Sequence, residues 1–259
     1  MRRTYLLLLV CLLLLLAGCN SPTVSQPVAV STPSPTHTPT PTVAPLPTIP
    51  DVPARTVHFI TSDHVQLAGL LYGHGRMMVI CSHMLRTSKL IWSESGMPQR
   101  LAVLGYQVLA YDFRGNGDSA GQADPSVMDV DLRAATNFAR QQGATTMVLM
   151  GASMGGTASL KVAAEEQVTA VLSLSGPQEF GVKISENDIK AIKAPKLFLV
   201  SENDESFITD AKHMYQTAGQ PKELHIYPGR AHGTDILDYD SEDAVQRVLR
   251  FIEKYAPAS

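Results

Sequence analysis

The chain has 259 residues, 44% of them hydrophobic and 17% charged, with a formal net charge of −3. That balance excludes a wholly disordered chain, and without a basic surplus there is no electrostatic footprint for nucleic acid. The averages hide an asymmetry: an apolar leader, then a Pro/Thr-rich stretch, then a globular pattern from about residue 55.

Arg2 and Arg3 precede an apolar run over residues 5–16. As a helix such a run spans about 18 Å, well short of the roughly 30 Å hydrocarbon core. It therefore reads as the apolar part of a secretory signal peptide, not as a membrane span. Leu15-Leu16-Ala17-Gly18-Cys19 resembles the lipobox of bacterial lipoproteins. The resemblance implies cleavage before Cys19, a lipid on its sulfur, and anchoring to the outer face of a bacterial cell membrane. Cys11 then leaves with the leader and Cys19 carries lipid. Cys81 is left alone, so the mature domain forms no internal disulfide.

Residues 20–53 hold ten of the 17 prolines, interleaved with Thr and Ser. Such a segment lacks the apolar mass to offset ordering entropy and favours extended polyproline II. The expected organisation is a signal peptide over 1–18, a lipid-bearing tether over 19–54 and a folded domain over 55–259.

From residue 55 the pattern alternates. Residues 55–72 read as two strands around a turn at Ser62-Asp63. Further strands are expected over 77–82, 105–111, 145–150, 168–174, 196–200 and 223–227. Helical spacing falls between them, over 98–104, 127–141, 154–165 and 243–255. In the last of these Val245, Val248, Leu249 and Ile252 form one stripe. Continuous apolar strands alternating with helices predict an α/β fold: a mainly parallel central sheet of about eight strands, with helices on both faces.

The sharpest local signal is Gly151-Ala152-Ser153-Met154-Gly155, placed between an apolar strand and a helix as the G-x-S-x-G pattern requires. A strand turning abruptly into a helix strains the residue at its apex. Neighbours two positions away must be small to avoid the sheet and the helix. Ser153 is then a nucleophile exposed at the carboxyl edge, and the Met154 N–H at the helix start is an oxyanion donor. A serine needs a base and an orienting acid, which follow it in the chain in this setting. His232 sits on the loop after the last strand. His225 lies within that strand and His213 within a helical stretch, so both read as structural or solvated. The loop after strand 196–200 carries the acid; Asp204 is preferred, with Glu202 and Glu205 as competitors.

With these residues in view, residues 55–257 resemble the α/β-hydrolase fold family, near its small dienelactone-hydrolase-like and esterase-like members. Gly105-Tyr106, followed by Asp112-Phe113-Arg114-Gly115-Asn116-Gly117-Asp118-Ser119, is similar to a stretch found in that family. The resemblance implies a catalytic triad of Ser153, Asp204 and His232 acting on ester or thioester substrates through an acyl-enzyme. Relatives often carry His-Gly after the third strand, where the next N–H is a second oxyanion donor. Here His83-Met84-Leu85 stands instead, so that donor is Leu85 or Met84. Residues 176–194 are too few for a large cap domain, and an open site results. Trp92, Met97, Met154, Phe180 and Phe207 are candidate lining residues. No metal-ligand spacing is present and no cofactor is expected. The expected partners are a small-molecule ester and, through the lipid, a membrane. A serine peptidase of the same fold and a non-catalytic surface binding protein are the alternatives.

Overall fold

The computed structural model describes residues 48–239 and 241–258. The expected signal peptide, lipid-bearing Cys19 and most of the tether lie outside the described residues.

In chain order the elements are β1 (Ala54–Ile60), β2 (Gln66–Tyr72), β3 (Met77–Ser82), α1 (Leu90–Ser95), α2 (Met97–Val103) and β4 (Gln107–Tyr111). Then come α3 (Met128–Gln141), β5 (Thr146–Ala152), α4 (Met154–Glu165), β6 (Ala170–Leu174) and the short β7 (Glu179–Phe180) and β8 (Val182–Lys183). The chain closes with α5 (Glu186–Ala191), β9 (Lys196–Ser201), α6 (Glu205–Thr217), β10 (Lys222–Tyr227), α7 (Asp235–Tyr239) and α8 (Ser241–Tyr255).

Every residue of β3, Met-Met-Val-Ile-Cys-Ser, is buried, which requires cover on both faces of the sheet. The period-two alternation divides them. Met78 and Ile80 join an apolar cluster with Leu132 and Phe138 of α3, Leu160 and Val162 of α4, Ile189 of α5 and Met214 of α6. Met77, Val79 and Cys81 join the opposite cluster, with Trp92 of α1, Leu101 of α2, Ile236 of α7 and Val248 and Ile252 of α8.

The eight strands run in the order β1-β2-β4-β3-β5-β6-β9-β10. β2 pairs antiparallel with both β1 and β4, and from β4 to β10 every pairing is parallel. The parallel strands therefore release their loops at one carboxyl edge. β3, β5, β9 and β10 deliver the segments that carry residues 83–89, 153, 202–204 and 228–234. Between β6 and β9 lie only the β7–β8 hairpin and the six-residue α5, far less than an independent cap.

The β5–α4 bend depends on close backbone approach. A Cβ on Gly155 would collide with the Ser82 carbonyl oxygen and lie 2.8 Å from that of His83, and one on Gly151 would collide with the Gly155 carbonyl. These are backbone atoms of a fully buried strand end, so they cannot withdraw cheaply. Gly155→Ala is expected to destabilise the protein by about 4 kcal/mol or more. Urea unfolding measures this; a loss below about 1 kcal/mol is incompatible with the packing described.

Candidate active site

Ser153 joins β5 to α4. Its N–H continues the sheet ladder to the Leu174 carbonyl at 2.8 Å, while its own carbonyl accepts from Gly156 and Thr157 as the first turn of α4. One residue serving both elements must bend sharply, and Ser153 does so at φ 48° and ψ −116°. Positive φ is costly for any residue with a Cβ, of order 1–3 kcal/mol, and persists only where the surroundings impose it. The side chain sits at the sheet edge, with the residue 8% exposed. Met154, the first helical residue, carries one of the N–H groups that a helix start leaves without an intrahelical partner.

Asp204 and His232 meet across the neighbouring loops. The His232 Nδ1–H faces the Asp204 carboxylate with both oxygens at 3.0 Å. Asp204 is largely buried, and the imidazole is 29% exposed. The Phe207 ring packs against the imidazole, centroids 4.4 Å apart. The two loops are stitched together: the Glu202 N–H donates to the Tyr227 carbonyl, that of Asn203 to Gly229, and the Ser201 hydroxyl to Ala231 at 2.7 Å. The competing carboxylates do other things. Glu202 accepts the Gly229 N–H, and Glu205 opens α6 in an exposed position. His225 lies on β10 beside Asp243, and His213 on α6 beside Glu186.

Gly233 brings the histidine loop to the serine. With φ 59°, its Cα is so placed that a Cβ would stand 3.8 Å from the Ser153 N and 3.4 Å from the Ala152 Cβ. No hydrogen bond joins Ser153 Oγ to the imidazole among the described residues; such contacts are often long until a substrate is bound.

The loop after β3 carries Met84 where the resemblance noted above implies a glycine. Met84 has no positive φ; Arg86 takes the left-handed position instead, at φ 61°. The Thr87 N–H closes a turn on the Met84 carbonyl, with Leu85 and Arg86 at its centre, where the turn itself leaves the Leu85 N–H unused. The Met84 thioether packs on the histidine loop. It accepts the Thr234 hydroxyl at 3.7 Å, and a Cβ on Gly233 would lie 2.8 Å from the sulfur. His83 is fully buried. Its Nε2 accepts the Phe113 N–H at 3.0 Å and its Nδ1–H donates to the Met84 carbonyl at 2.7 Å. Burial holds its pKa below the ordinary value, so this ring is a neutral brace.

Sequence reasoning missed the clamp on this loop. Lys89 and Asp112 form a buried ion pair at 2.5 Å, and the same carboxylate accepts the N–H groups of Lys89 and Asp118. Burial opposes the Lys89 charge, but hydrogen bonds to Asp112 and Asp118 outweigh it and raise the ammonium pKa. The pair ties the β3–α1 loop to the turn after β4. Arg114 in that turn is bound by Asp131 and Asp63. The glycines there thus serve a tight turn packed with ion pairs. Nothing in the spacing of Lys89 signals its partner 23 residues on.

Three of the expected lining residues lie elsewhere. Trp92 and Met97 are fully buried in the core beneath α8, because the face of α1 and α2 that carries them packs on the sheet. Phe180 packs against the opposite core cluster. The Met154 side chain is buried in that same cluster, and Phe207 packs on the His232 ring.

Among known proteins, the sequence model of the dienelactone hydrolase family matches residues 93–256. No curated protein matches at a significant level. An esterase of Pyrococcus furiosus is similar in structure at 19% identity and a TM-score of 0.68, over 79% of this chain and 93% of that one. A dienelactone hydrolase of Anabaena variabilis is similar at 21% identity and 0.65, over 79% and 98%. An esterase domain from Rhodothermus marinus is similar at 22% identity and 0.64, over 78% and 99%. At such identities the structural likeness establishes the fold alone.

Proposed function

The chain belongs to the dienelactone hydrolase family, and on that premise, which supports ester hydrolysis in general, we propose that it is a serine hydrolase acting on carboxylic esters or thioesters. Ser153 Oγ attacks the carbonyl carbon as His232 takes its proton. The tetrahedral oxyanion lies against the Met154 N–H and that of Leu85 or Met84. Collapse breaks the bond to the leaving alcohol or thiol, which receives the proton from His232. Water, deprotonated by the same imidazole, then releases the acid and restores Ser153. Asp204 holds the His232 tautomer and stabilises the imidazolium without taking its proton.

The observation that carries this reading is the strained Ser153 at φ 48°, with an Asp204-bound imidazole on the loop whose Gly233 lies so close to the serine bend that an added Cβ would stand 3.8 Å from the Ser153 N. Covalent labelling with a fluorophosphonate tests it. Labelling of the wild type that disappears in Ser153→Ala supports the hydrolase. A folded protein that does not label points to a binding protein. Turnover of aminoacyl anilides in preference to nitrophenyl esters points to a peptidase.

The domain is also proposed to be held on the outer face of a bacterial membrane by lipid on Cys19, a reading supported by Leu15-Leu16-Ala17-Gly18-Cys19. Cys19→Ser is expected to move the protein from the membrane fraction to the soluble fraction. An unchanged distribution would count against the anchor.

A further inference from the structure

Of the nine methionines among the described residues, eight are buried. Met84 is the exception, partly exposed in the loop after β3. Its sulfur reaches the histidine loop, where it accepts the hydroxyl of Thr234, two residues after His232, at 3.7 Å. A Cβ added to Gly233 would stand 2.8 Å from that sulfur and 3.8 Å from the Ser153 N. The thioether therefore packs where the β3 loop, the histidine loop and the serine bend converge.

We propose that Met84 is a modification site: a hydroperoxide oxidises its thioether to the sulfoxide, and the added oxygen displaces the His232 loop and lowers turnover. The loss of turnover rests on the hydrolase reading above; the oxidation does not. In the step a sulfur lone pair attacks one oxygen of hydrogen peroxide. The S–O bond forms as the O–O bond breaks, and the second oxygen leaves as water after taking the proton of the first. Sulfur loses two electrons and the peroxide gains them.

Exposure selects the site. A thioether has no ionisation to tune its reactivity, so the access of dissolved peroxide decides which methionine reacts. The other eight are enclosed in the two apolar clusters on either side of the sheet. Cys81 is no competitor. It is fully buried, and burial pushes its thiol pKa far above the ordinary value, which suppresses the reactive thiolate.

Packing couples the sulfur to the loop. Oxidation turns a flexible apolar side chain into a polar one. Gly233 and Thr234 are buried, and on their side the sulfur has no room for another atom, since even a Cβ on Gly233 would crowd it. The sulfoxide pushes Gly233 back or turns the Met84 side chain away. Turning away strips the buried Thr234 hydroxyl of its acceptor. Either movement shifts the segment that carries His232 against Ser153.

The test treats the purified full chain with hydrogen peroxide, maps added oxygen by peptide mass spectrometry and follows 4-nitrophenyl acetate turnover. Met84 is expected to oxidise at least about tenfold faster than any buried methionine, and kcat/KM to fall at least about tenfold in step with it. A methionine sulfoxide reductase with a dithiol, which releases the oxygen as water and becomes oxidised to the disulfide, is expected to restore both. Met84→Leu is expected to keep its own untreated rate under the same peroxide. Buried methionines oxidising as fast as Met84 overturn the site. Fully oxidised Met84 with unchanged kcat/KM overturns the coupling, and this wild-type comparison stands even if Met84→Leu fails to fold. A folded Met84→Leu that loses its turnover as fast as the wild type also overturns it. Absence of Ser153-dependent turnover of any ester overturns the hydrolase reading and the coupling with it, while the peptide map still decides whether Met84 is the modified residue.

Discussion

Ser153→Ala is expected to lower kcat on a short-chain nitrophenyl ester by about 10⁵- to 10⁶-fold, with the fold unchanged. The substitution removes one oxygen and leaves Cβ, so the bend, the ladder bond to Leu174 and the start of α4 all persist. What disappears is the covalent route, leaving only binding and oxyanion stabilisation. Ser153→Gly separates chemistry from strain. It loses the nucleophile equally, but glycine tolerates φ 48° without a Cβ clash. Relief of about 1 kcal/mol should raise Tm by roughly 2–4 °C over Ser153→Ala. Residual activity within tenfold of wild type in Ser153→Ala would remove the basis of the mechanism. Equal Tm values for the two variants would instead mean that the strain relieved is no larger than the extra entropy glycine loses on folding.

Asp204→Asn is expected to reduce kcat by about 10⁴-fold. Both Asp204 oxygens face the His232 Nδ1–H, so the carboxylate accepts a hydrogen bond from it, keeps the proton on Nδ1 and leaves Nε2 free to act as a base. An amide in its place offers an NH₂ to the ring and favours the wrong tautomer. Little stability should be lost, because the Asp204 side chain makes no capping bond to α6. Circular dichroism and urea unfolding check the fold; steady-state kinetics on the same ester check the rate. Glu202→Gln and Glu205→Gln, on side chains that do not reach the imidazole, should remain within a few-fold of wild type. A loss of 10³-fold or more in either would move the acid to that residue.

These expectations share one structural cause. Six of the strands, β4 through β10 across the sheet, run parallel, so segments distant in sequence emerge side by side at one edge. The loops are then fixed by contacts that do not touch the reacting atoms. The Lys89–Asp112 pair holds the loop after β3, the Ser201 hydroxyl holds Ala231 next to His232, and the Met84 sulfur fills the gap between the two. Met84 is accommodated in that loop because Arg86, not Met84, takes the left-handed turn.

What the amino-acid order determined by itself was local. Gly151-Ala152-Ser153-Met154-Gly155 after an apolar strand specifies a sharp bend because the steric conflict lies within five residues. β3 and α4 were legible for the same reason: fully apolar runs and small-residue helices have one good solution near a sheet. Short elements such as α1, α5 and α7 carry too few turns for a periodic stripe, and α6 buries only Ala211 and Met214. Which of three acidic residues meets His232, where Trp92 and Met97 point, and that Lys89 pairs with Asp112 were decided only by tertiary structure. Each depends on which loops a parallel sheet brings together and which helix faces its packing buries, and neither is encoded in neighbouring residues.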